Sequence, residues 1–355
     1  MRRNITKLMS IMVVSLFCVT AVAAIVISDD SAADGKTTHK MYIEVIGNDA
    51  LVSSTQWISF ESDGTASDFA EKATAATAKY GIQDFKFSYT EGDYLSIKYG
   101  DSGNVACYYA KDGAWTSANK TAEEYPAAEV LGFAIGGWIS QAKYDALTDA
   151  NKAKYDATAG FSTDWYAIKI LEAKVTDAPA INTYHVFLEL FTDKGKVDKS
   201  KWVTFDALAD PTCFVTDATA AFKDAGWDKA SLTYAGGYIS MNYEGGAGMN
   251  ASCYVKDDKW EHVNNTEEYL ENTTLCMAFG GYITNTLYDT FDDAEKENWI
   301  FDFEYKGTKY YYTKVTESTT GWEQKNSNLV LYIVIGVVAI IAVVAIAFFV
   351  FKKKA

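Results

Sequence analysis

The middle of this 355-residue chain is duplicated, and the duplication constrains its fold more than any other feature. Segments of the first half recur in the same order in the second half, offset by 144 to 146 residues. The clearest pairs are QWISF with KWVTF, ACYYAKDGAW with SCYVKDDKW, LGFAIGGWIS with LCMAFGGYIT, and KYDALTDANKAKY with LYDTFDDAEKENW. Self-similarity of this kind indicates homologous structural units in tandem. We predict repeat 1 over residues 38–176 and repeat 2 over residues 183–316.

Each repeat has the residue pattern of an α+β domain. Strand-like segments such as MYIEVI and WISF open repeat 1,. A helix is expected next, because Phe69, Ala73, Ala76 and Tyr80 recur at helical spacing and Gly81 suits the position after its end,. Tyrosine-rich alternating segments follow. We predict two tandem sheet-plus-helix domains, each with the order β-β-α-β-β-β-α-β.

A long apolar run follows the duplicated region. Residues 329–351 are uncharged and almost wholly apolar, which is long enough for a helix to span a hydrocarbon core of roughly 30 Å,. Three lysines follow, and the positive-inside rule places the tail, 352–355, in the cytoplasm,. Residues 317–328 form a polar juxtamembrane linker. The sequence therefore predicts a transmembrane helix in the cell membrane.

The N-terminal residues 1–28 combine a basic start, an apolar run and the small residues Ala21-Val22-Ala23. This combination is typical of a secretory signal peptide that is cleaved, and an uncleaved signal anchor is the alternative. Both interpretations place the duplicated region outside the cell. The predicted topology is single-pass type I with an extracellular ectodomain.

Charge and composition exclude several classes of protein. The chain has 47 acidic and 32 basic residues, and six of the basic residues flank the two apolar runs. The ectodomain is therefore strongly acidic and lacks the basic footprint of a nucleic-acid-binding protein. Hydrophobic residues make up 49% of the chain, which argues against intrinsic disorder,.

The cysteines suggest a disulfide in repeat 2. Cys107 and Cys253 occupy matching positions in the aligned repeats, whereas Cys213 and Cys276 have no counterparts in repeat 1. A pair gained together in an exported chain predicts a disulfide between Cys213 and Cys276. Two buried free thiols are the alternative.

Four Asn-X-Ser/Thr sequons of the duplicated region are candidate glycosylation sites: Asn119, Asn250, Asn264 and Asn272,. Asn119 and Asn264 each precede a matching EEY segment. The sequence thus predicts a glycoprotein with glycan on the same face of both repeats.

Aromatic residues shared by the repeats are candidates for sugar binding, because their rings offer apolar faces. Core packing is the alternative explanation. The candidates are Trp57, Trp202, Trp115, Trp260, Trp138 and Tyr282.

No catalytic motif emerges. His39, His185 and His262 lack the spacing of zinc ligands and are expected at the surface,. The acidic pairs at 123–124 and 267–268 recur, but the separation of carboxylates cannot be read from a sequence,. We expect no metal, no cofactor and no enzymatic activity.

Two resemblances bear on function. The first half of each repeat, with two strands, a helix ending at glycine, tyrosine-rich strands and a CYY or CYV element, resembles β-grasp-like domains of surface and cobalamin-carrier proteins. The whole layout resembles archaeal or Gram-positive cell-surface proteins. These features favour a surface protein whose modules bind an envelope polymer, a glycan, a neighbouring cell or another copy of itself. An ectoenzyme such as a glycosidase and a solute-capture receptor are the alternatives.

Overall fold

The computed structural model describes most of the duplicated region. The described residues are 36–47, 51–90, 94–100, 105–157, 164–169, 171–246 and 248–323. The predicted signal peptide, transmembrane helix and tail lie outside them. Among the helices within these ranges, none has both the length and the apolarity needed to cross a bilayer.

Repeat 1 alternates strands with short helices. Its elements are β1 (Thr37–Ile46), β2 (Val52–Ser62), α1 (Ala66–Lys79), β3 (Phe85–Tyr89), β4 (Leu95–Tyr99), β5 (Val105–Lys111), β6 (Ala114–Ser117), α2 (Thr121–Ala127), β7 (Val130–Ile135), β8 (Trp138–Ser140), α3 (Gln141–Asp145), α4 (Asp149–Lys152), β9 (Tyr155–Ala157) and β10 (Trp165–Ile168).

Repeat 2 runs through the same series of elements. They are β11 (Ile181–Phe191), β12 (Val197–Leu208), α5 (Pro211–Asp224), β13 (Ala230–Ala235), β14 (Tyr238–Tyr243), β15 (Met249–Lys256), β16 (Lys259–His262), α6 (Thr266–Glu271), β17 (Thr274–Thr284), α7 (Asn285–Tyr288), α8 (Asp293–Lys296), β18 (Trp299–Tyr305) and β19 (Thr308–Thr313). The predicted α+β class is confirmed. The predicted order within each repeat omitted the second strand of the β5–β6 and β15–β16 hairpins, the central strands β7 and β17, the strands β8, β9 and β18, and several short helices.

Each repeat is built on a mixed sheet. The strand order is β2-β1-β7-β5-β6 in repeat 1 and β12-β11-β17-β15-β16 in repeat 2. The two central strands of each sheet, β1 with β7 and β11 with β17, are parallel, and their outer neighbours are antiparallel. In repeat 2 the sheet is extended, because β19 pairs with the end of β17 and β18 pairs with β19.

One face of each sheet is covered by the long helix of that repeat. Thr65 caps the start of α1 by accepting a hydrogen bond from the Asp68 amide, and Asp210 caps α5 in the same way,. The apolar stripe of α1, including Phe69 and Ala73, is buried against the sheet,. The opposite face carries a second apolar layer, formed by the C-terminal part of the repeat. Both faces of the central strands are therefore buried.

The two repeats pack directly on each other, and residues Lys36–Thr319 form one compact unit. The Cys213 thiol of α5 donates a hydrogen bond to the Trp57 carbonyl of β2 at 2.9 Å. The buried Asp217 carboxylate of α5 accepts from the Tyr80 hydroxyl at 2.9 Å and pairs with Lys79. Repeat 2 thus presents its helix to an edge strand of repeat 1.

Candidate functional site

The two matched tryptophans on the second strand of each sheet serve packing. Trp57 and Trp202 are both buried and lie opposite Tyr42 and Phe187, with ring centroids 5.1 Å apart in each pair. Core packing, the alternative to sugar binding, therefore accounts for Trp57 and Trp202.

The next matched pair fastens the end of each repeat to its sheet. The Trp115 indole nitrogen donates to the Ala173 carbonyl at 2.7 Å, and that of Trp260 donates to the Glu317 carbonyl at 2.9 Å. Because the same bond occurs in both repeats, these tryptophans hold the C-terminal segment over the second face of the sheet.

The last candidate pair diverges between the repeats. The Trp138 indole donates to the Val105 carbonyl at 3.2 Å. The Tyr282 hydroxyl instead donates to Asp302 Oδ2 at 2.6 Å and hydrogen-bonds His262 Nε2 at 2.8 Å. Burial and the nearby carboxylate raise the pKa of Tyr282. A polar Tyr-His-Asp cluster therefore lies where β17 meets the β18–β19 hairpin.

The predicted disulfide between Cys213 and Cys276 is contradicted, because both cysteines are free. Cys213 faces Trp57 of repeat 1. Cys276 lies on β17 with its side chain on the sheet face away from α5, and its nearest strand partner is Cys253 on β15,. The two thiols are therefore on opposite sides of the repeat 2 sheet. Burial raises the pKa of both.

The proposed equivalence of Cys107 and Cys253 is wrong by one residue. The Cys107 thiol lies beside the Tyr125 hydroxyl, and the Ser252 hydroxyl bonds the Tyr269 hydroxyl at 2.5 Å. The carbonyls of Cys107 and Ser252 also accept matching backbone bonds. Ser252 is therefore the counterpart of Cys107, and Cys253 faces the opposite side of the sheet.

The sequons differ in accessibility. Asn119 and Asn264 are exposed and equivalent, since each backbone amide donates to the second glutamate of the following EEY segment. Those glutamates, Glu124 and Glu268, lie in the first turns of α2 and α6, so the recurring acidic pairs act at helix starts,.

The other two sequons are engaged in the fold. The Asn250 side chain donates to the Met241 carbonyl at 2.7 Å and accepts from the Gly280 amide at 3.0 Å. The half-buried Asn272 side chain donates to the Glu268 carbonyl at 2.8 Å. The geometry thus favours Asn119 and Asn264 as attachment points.

The histidines do not form a metal site. No group of three or more His, Cys, Asp and Glu within the described ranges is arranged to hold a metal ion. His39 was expected at the surface, but it is fully buried between the Ala128 carbonyl and the Ser62 hydroxyl. Its burial lowers its pKa, which keeps the ring neutral.

Two buried glutamates were missed by the sequence analysis. Glu44 of β1 is 0% exposed and Glu189 of β11 is 4% exposed, and they are equivalent in the two sheets. Burial raises the pKa of each to about 7,. The available signal was an acidic residue inside the apolar runs MYIEVI and VFLELF, at the same place in both repeats.

Glu44 has partners within its own repeat. Its Oε2 accepts the Glu172 amide at 2.9 Å, whereas Oε1 has no hydrogen-bond partner. The Tyr42 hydroxyl and the Lys154 ammonium both favour the ionised form. Lys154 also pairs with the Glu172 carboxylate at 2.6 Å.

Glu189 lacks both of those partners. Phe187 occupies the place of Tyr42, and Asn298 occupies the place of Lys154. The groups that act on the Glu189 carboxyl are the Cys276 thiol, whose sulfur is 3.9 Å from Oε2, and the Glu317 carboxylate, which raises the pKa further.

Glu189 also lines a cavity of about 300 Å³, which is within the size range of small-ligand sites,. The cavity lies between the β11–β12 turn and the α8–β18 segment. Exposed lysines stand at its mouth, and aromatic rings form its wall. The residues that matter here are Glu189, Phe291, Trp299, Asn298, Lys194 and Lys314.

A second surface stands out at the end of repeat 2. The β18–β19 hairpin exposes Phe301 (52%), Phe303 (42%) and Tyr305 (57%). Phe303 stacks on Tyr310 with ring centroids 4.7 Å apart. This aromatic hairpin and the Glu189 cavity are the two candidate binding features of the described residues. No protein-family profile, curated protein or solved structure matches this chain.

Proposed function

We propose that this chain is a single-pass type I membrane protein of the cell surface whose two extracellular modules bind an envelope polysaccharide. The apolar run 329–351 with its basic tail supports the membrane anchor, and residues 1–28 support export,. The central parallel strand pair with one helix across it supports a β-grasp-like core in each repeat.

The observation that carries the binding role is the aromatic hairpin. Apolar residues exposed side by side on one hairpin are typical of interaction sites. Sugar rings present flat C–H faces that stack on aromatic side chains while their hydroxyls stay solvated. An adhesion or envelope-structure role follows from such a surface on an anchored chain.

Two alternatives differ in support. An ectoenzyme of the glycosidase type needs two facing carboxylates, and the repeated pairs considered for this role instead lie at helix starts,. A solute-capture receptor needs an enclosed pocket with few polar groups, and the Glu189 cavity favours it as the second candidate,.

The binding role is tested by co-sedimentation of the full chain, in detergent, with insoluble cell-wall polysaccharide from the producing cells. The variant Phe301→Ser/Phe303→Ser is expected to bind about tenfold more weakly, because each ring contributes about 0.5–1.5 kcal/mol. The matched control is Tyr234→Ser/Tyr238→Ser on the β13–β14 hairpin, which also exposes two tyrosines.

Equal binding by the hairpin variant and the wild type would contradict the proposed surface. If the wild-type chain does not bind polysaccharide but sediments as a larger species, the result would favour self-association instead. Topology is tested separately with a C-terminal epitope tag on intact cells. External protease is expected to digest the ectodomain and leave the tag protected, and a digested tag would refute the type I orientation.

A further inference from the structure

The equivalent buried carboxyl groups of the two repeats, Glu44 and Glu189, have different surroundings. In repeat 1, the Glu172 amide donates to Glu44, and the Tyr42 hydroxyl and the Lys154 ammonium, which itself pairs with the Glu172 carboxylate, favour the ionised form of Glu44. In repeat 2, Asn298 and Phe187 replace Lys154 and Tyr42, and the carboxyl lines a cavity. The two repeats therefore keep the carboxyl in common and differ in the cation and the hydroxyl, which only repeat 1 has.

The identity of Asn298 as the counterpart of Lys154 rests on the backbone. The Lys169 amide donates to the Lys154 carbonyl at 2.7 Å, and the Lys314 amide donates to the Asn298 carbonyl at the same distance. Each position also directly precedes a buried aromatic residue, Tyr155 or Trp299. The lysine that favours ionisation of the buried acid in repeat 1 is therefore absent at the matching place in repeat 2.

A carboxyl group that is buried without a cation costs free energy when it ionises. Glu189 is nine-tenths buried or more, and the groups acting on it are burial, a thiol and a second carboxylate. The nearest ion pair at the cavity mouth, Lys196 with Glu295 at 3.3 Å, is satisfied by itself. A positive group inside the cavity would supply the missing partner.

The cavity walls suit an organic ammonium group. Phe291 and Trp299 are buried aromatic residues whose rings lie 6.1 Å apart, and both line the cavity beside Glu189. Aromatic faces attract ammonium groups that lie within about 6 Å of the ring centroid. A hard metal ion would require several oxygen ligands, and Glu189 is the only buried carboxylate among the described lining residues,.

The mouth of the cavity is positively charged, opposite in sign to the ionised Glu189 carboxylate inside. Lys194 and Lys314 are exposed and line the rim. A ligand that is only cationic would meet two positive charges on entry, whereas a ligand with an outer anionic group would be attracted by them. The arrangement is bipolar, with the acid inside and the ammonium groups outside.

We infer that the Glu189 cavity of repeat 2 binds a small zwitterion of the amino-acid class, with its ammonium group against Glu189 and its carboxylate between Lys194 and Lys314. This inference rests on the proposed role as a surface binding protein, and it names a solute site separate from the aromatic hairpin. In repeat 1 the Lys154 ammonium, which pairs with Glu172, already supplies a positive charge near the matching carboxyl.

The test is isothermal titration calorimetry of the full chain in detergent at about pH 8, where a group of pKa about 7 is ionised,. The probes are the common L-amino acids and glycine betaine, followed by the amine-free and carboxylate-free analogues of the tightest one. Saturable binding of a zwitterion is expected, with both analogues weaker by about tenfold or more, as for the loss of a charged hydrogen bond.

Three variants sharpen the test. Glu189→Gln keeps the volume and removes the charge, so binding is expected to weaken about tenfold or more. Glu44→Gln is the matched control in repeat 1 and should bind as the wild type does. Asn298→Lys restores the internal cation and should abolish binding, even if Glu189→Gln disturbs the fold.

Failure of every probe to bind, wild-type affinity in Glu189→Gln, or equal affinity of the amine-free analogue would each overturn the inference. Polysaccharide co-sedimentation of the same preparations separates this outcome from failure of the proposed function. Retained polysaccharide binding with no zwitterion binding would refute only the cavity.

Discussion

Replacing Glu189 with Gln is expected to stabilise the ligand-free protein, and the gain should depend on pH. Burial raises the Glu189 pKa to about 7 from an ordinary value of 4.5. The folded state therefore holds its proton more tightly than the unfolded state. Below pH 4.5 both states are protonated and the carboxyl carries no penalty. As pH rises from there, the unfolded state releases its proton first, and stability falls until the folded state also ionises near pH 7.

The size of the effect follows from the two pKa values. Each pH unit between 4.5 and about 7 costs about 1.4 kcal/mol, so the wild type loses about 3 kcal/mol across this window,. A glutamine does not titrate and keeps nearly the same shape. The free energy of unfolding of Glu189→Gln, relative to wild type, should therefore rise by about 3 kcal/mol between about pH 4 and about pH 8.

The measurement is urea unfolding of the full chain in detergent, followed by tryptophan fluorescence at several pH values. Other titrating groups, including the buried His39, contribute equally to both proteins and cancel in the difference. Glu44→Gln should behave similarly, since the Glu44 pKa is also about 7, and the two effects should add,. A difference between variant and wild type that stays constant with pH would refute the reasoning.

Three further perturbations test other parts of the structure. Asp217→Ala removes the buried acceptor of Tyr80, so we expect a loss of about 1–3 kcal/mol and separate unfolding of the repeats in the same urea assay; a single unchanged transition would contradict this,. The thiols of Cys253 and Cys276 are buried with raised pKa values, so mass spectrometry should find no maleimide labelling at neutral pH without denaturant; rapid labelling would show that they are accessible,. Gly195→Ala adds a methyl group 2.7 Å from the Phe291 ring at φ +66°, so Tm should fall with a cost of about 1–3 kcal/mol; an unchanged Tm would exclude that close contact,.

The fold was predictable where local pattern determines it. The helical spacing of Phe69 and Ala73 led to α1, because a helix on a sheet needs one apolar stripe,. The match of Cys107 with Cys253 failed because the shared CY dipeptide favoured an alignment one residue out of register. In a strand that shift reverses the face of every side chain. The disulfide expectation failed for a related reason, since sequence position does not say on which side of a sheet a cysteine lies.

The candidate site could be anticipated only in part. The sequence shows an acidic residue within MYIEVI and VFLELF, but an acidic residue is ordinarily expected to be exposed to solvent. Its burial depends on the C-terminal segment that folds over the second face of the sheet, and that contact joins residues far apart in the chain. The replacement of Lys154 by Asn298 becomes meaningful only once both are placed beside equivalent carboxyls. Tryptophans repeated in homologous domains also mark shared packing, and this accounts for the burial of Trp57 and Trp202.

The contact between the repeats is heterologous, since a helix of one meets a strand of the other. Contacts of this type can propagate from molecule to molecule into open filaments. Of the two long helices, only α5 has the surface that makes this contact. At the positions of Cys213 and Asp217, α1 carries Asp68 and Lys72, which pair with each other. Placing those charges against the counterpart of β2 in a neighbouring molecule, the edge strand β12, would bury them without suitable partners,. The series of packed modules therefore stops at two, and the same contact does not extend from one molecule to the next.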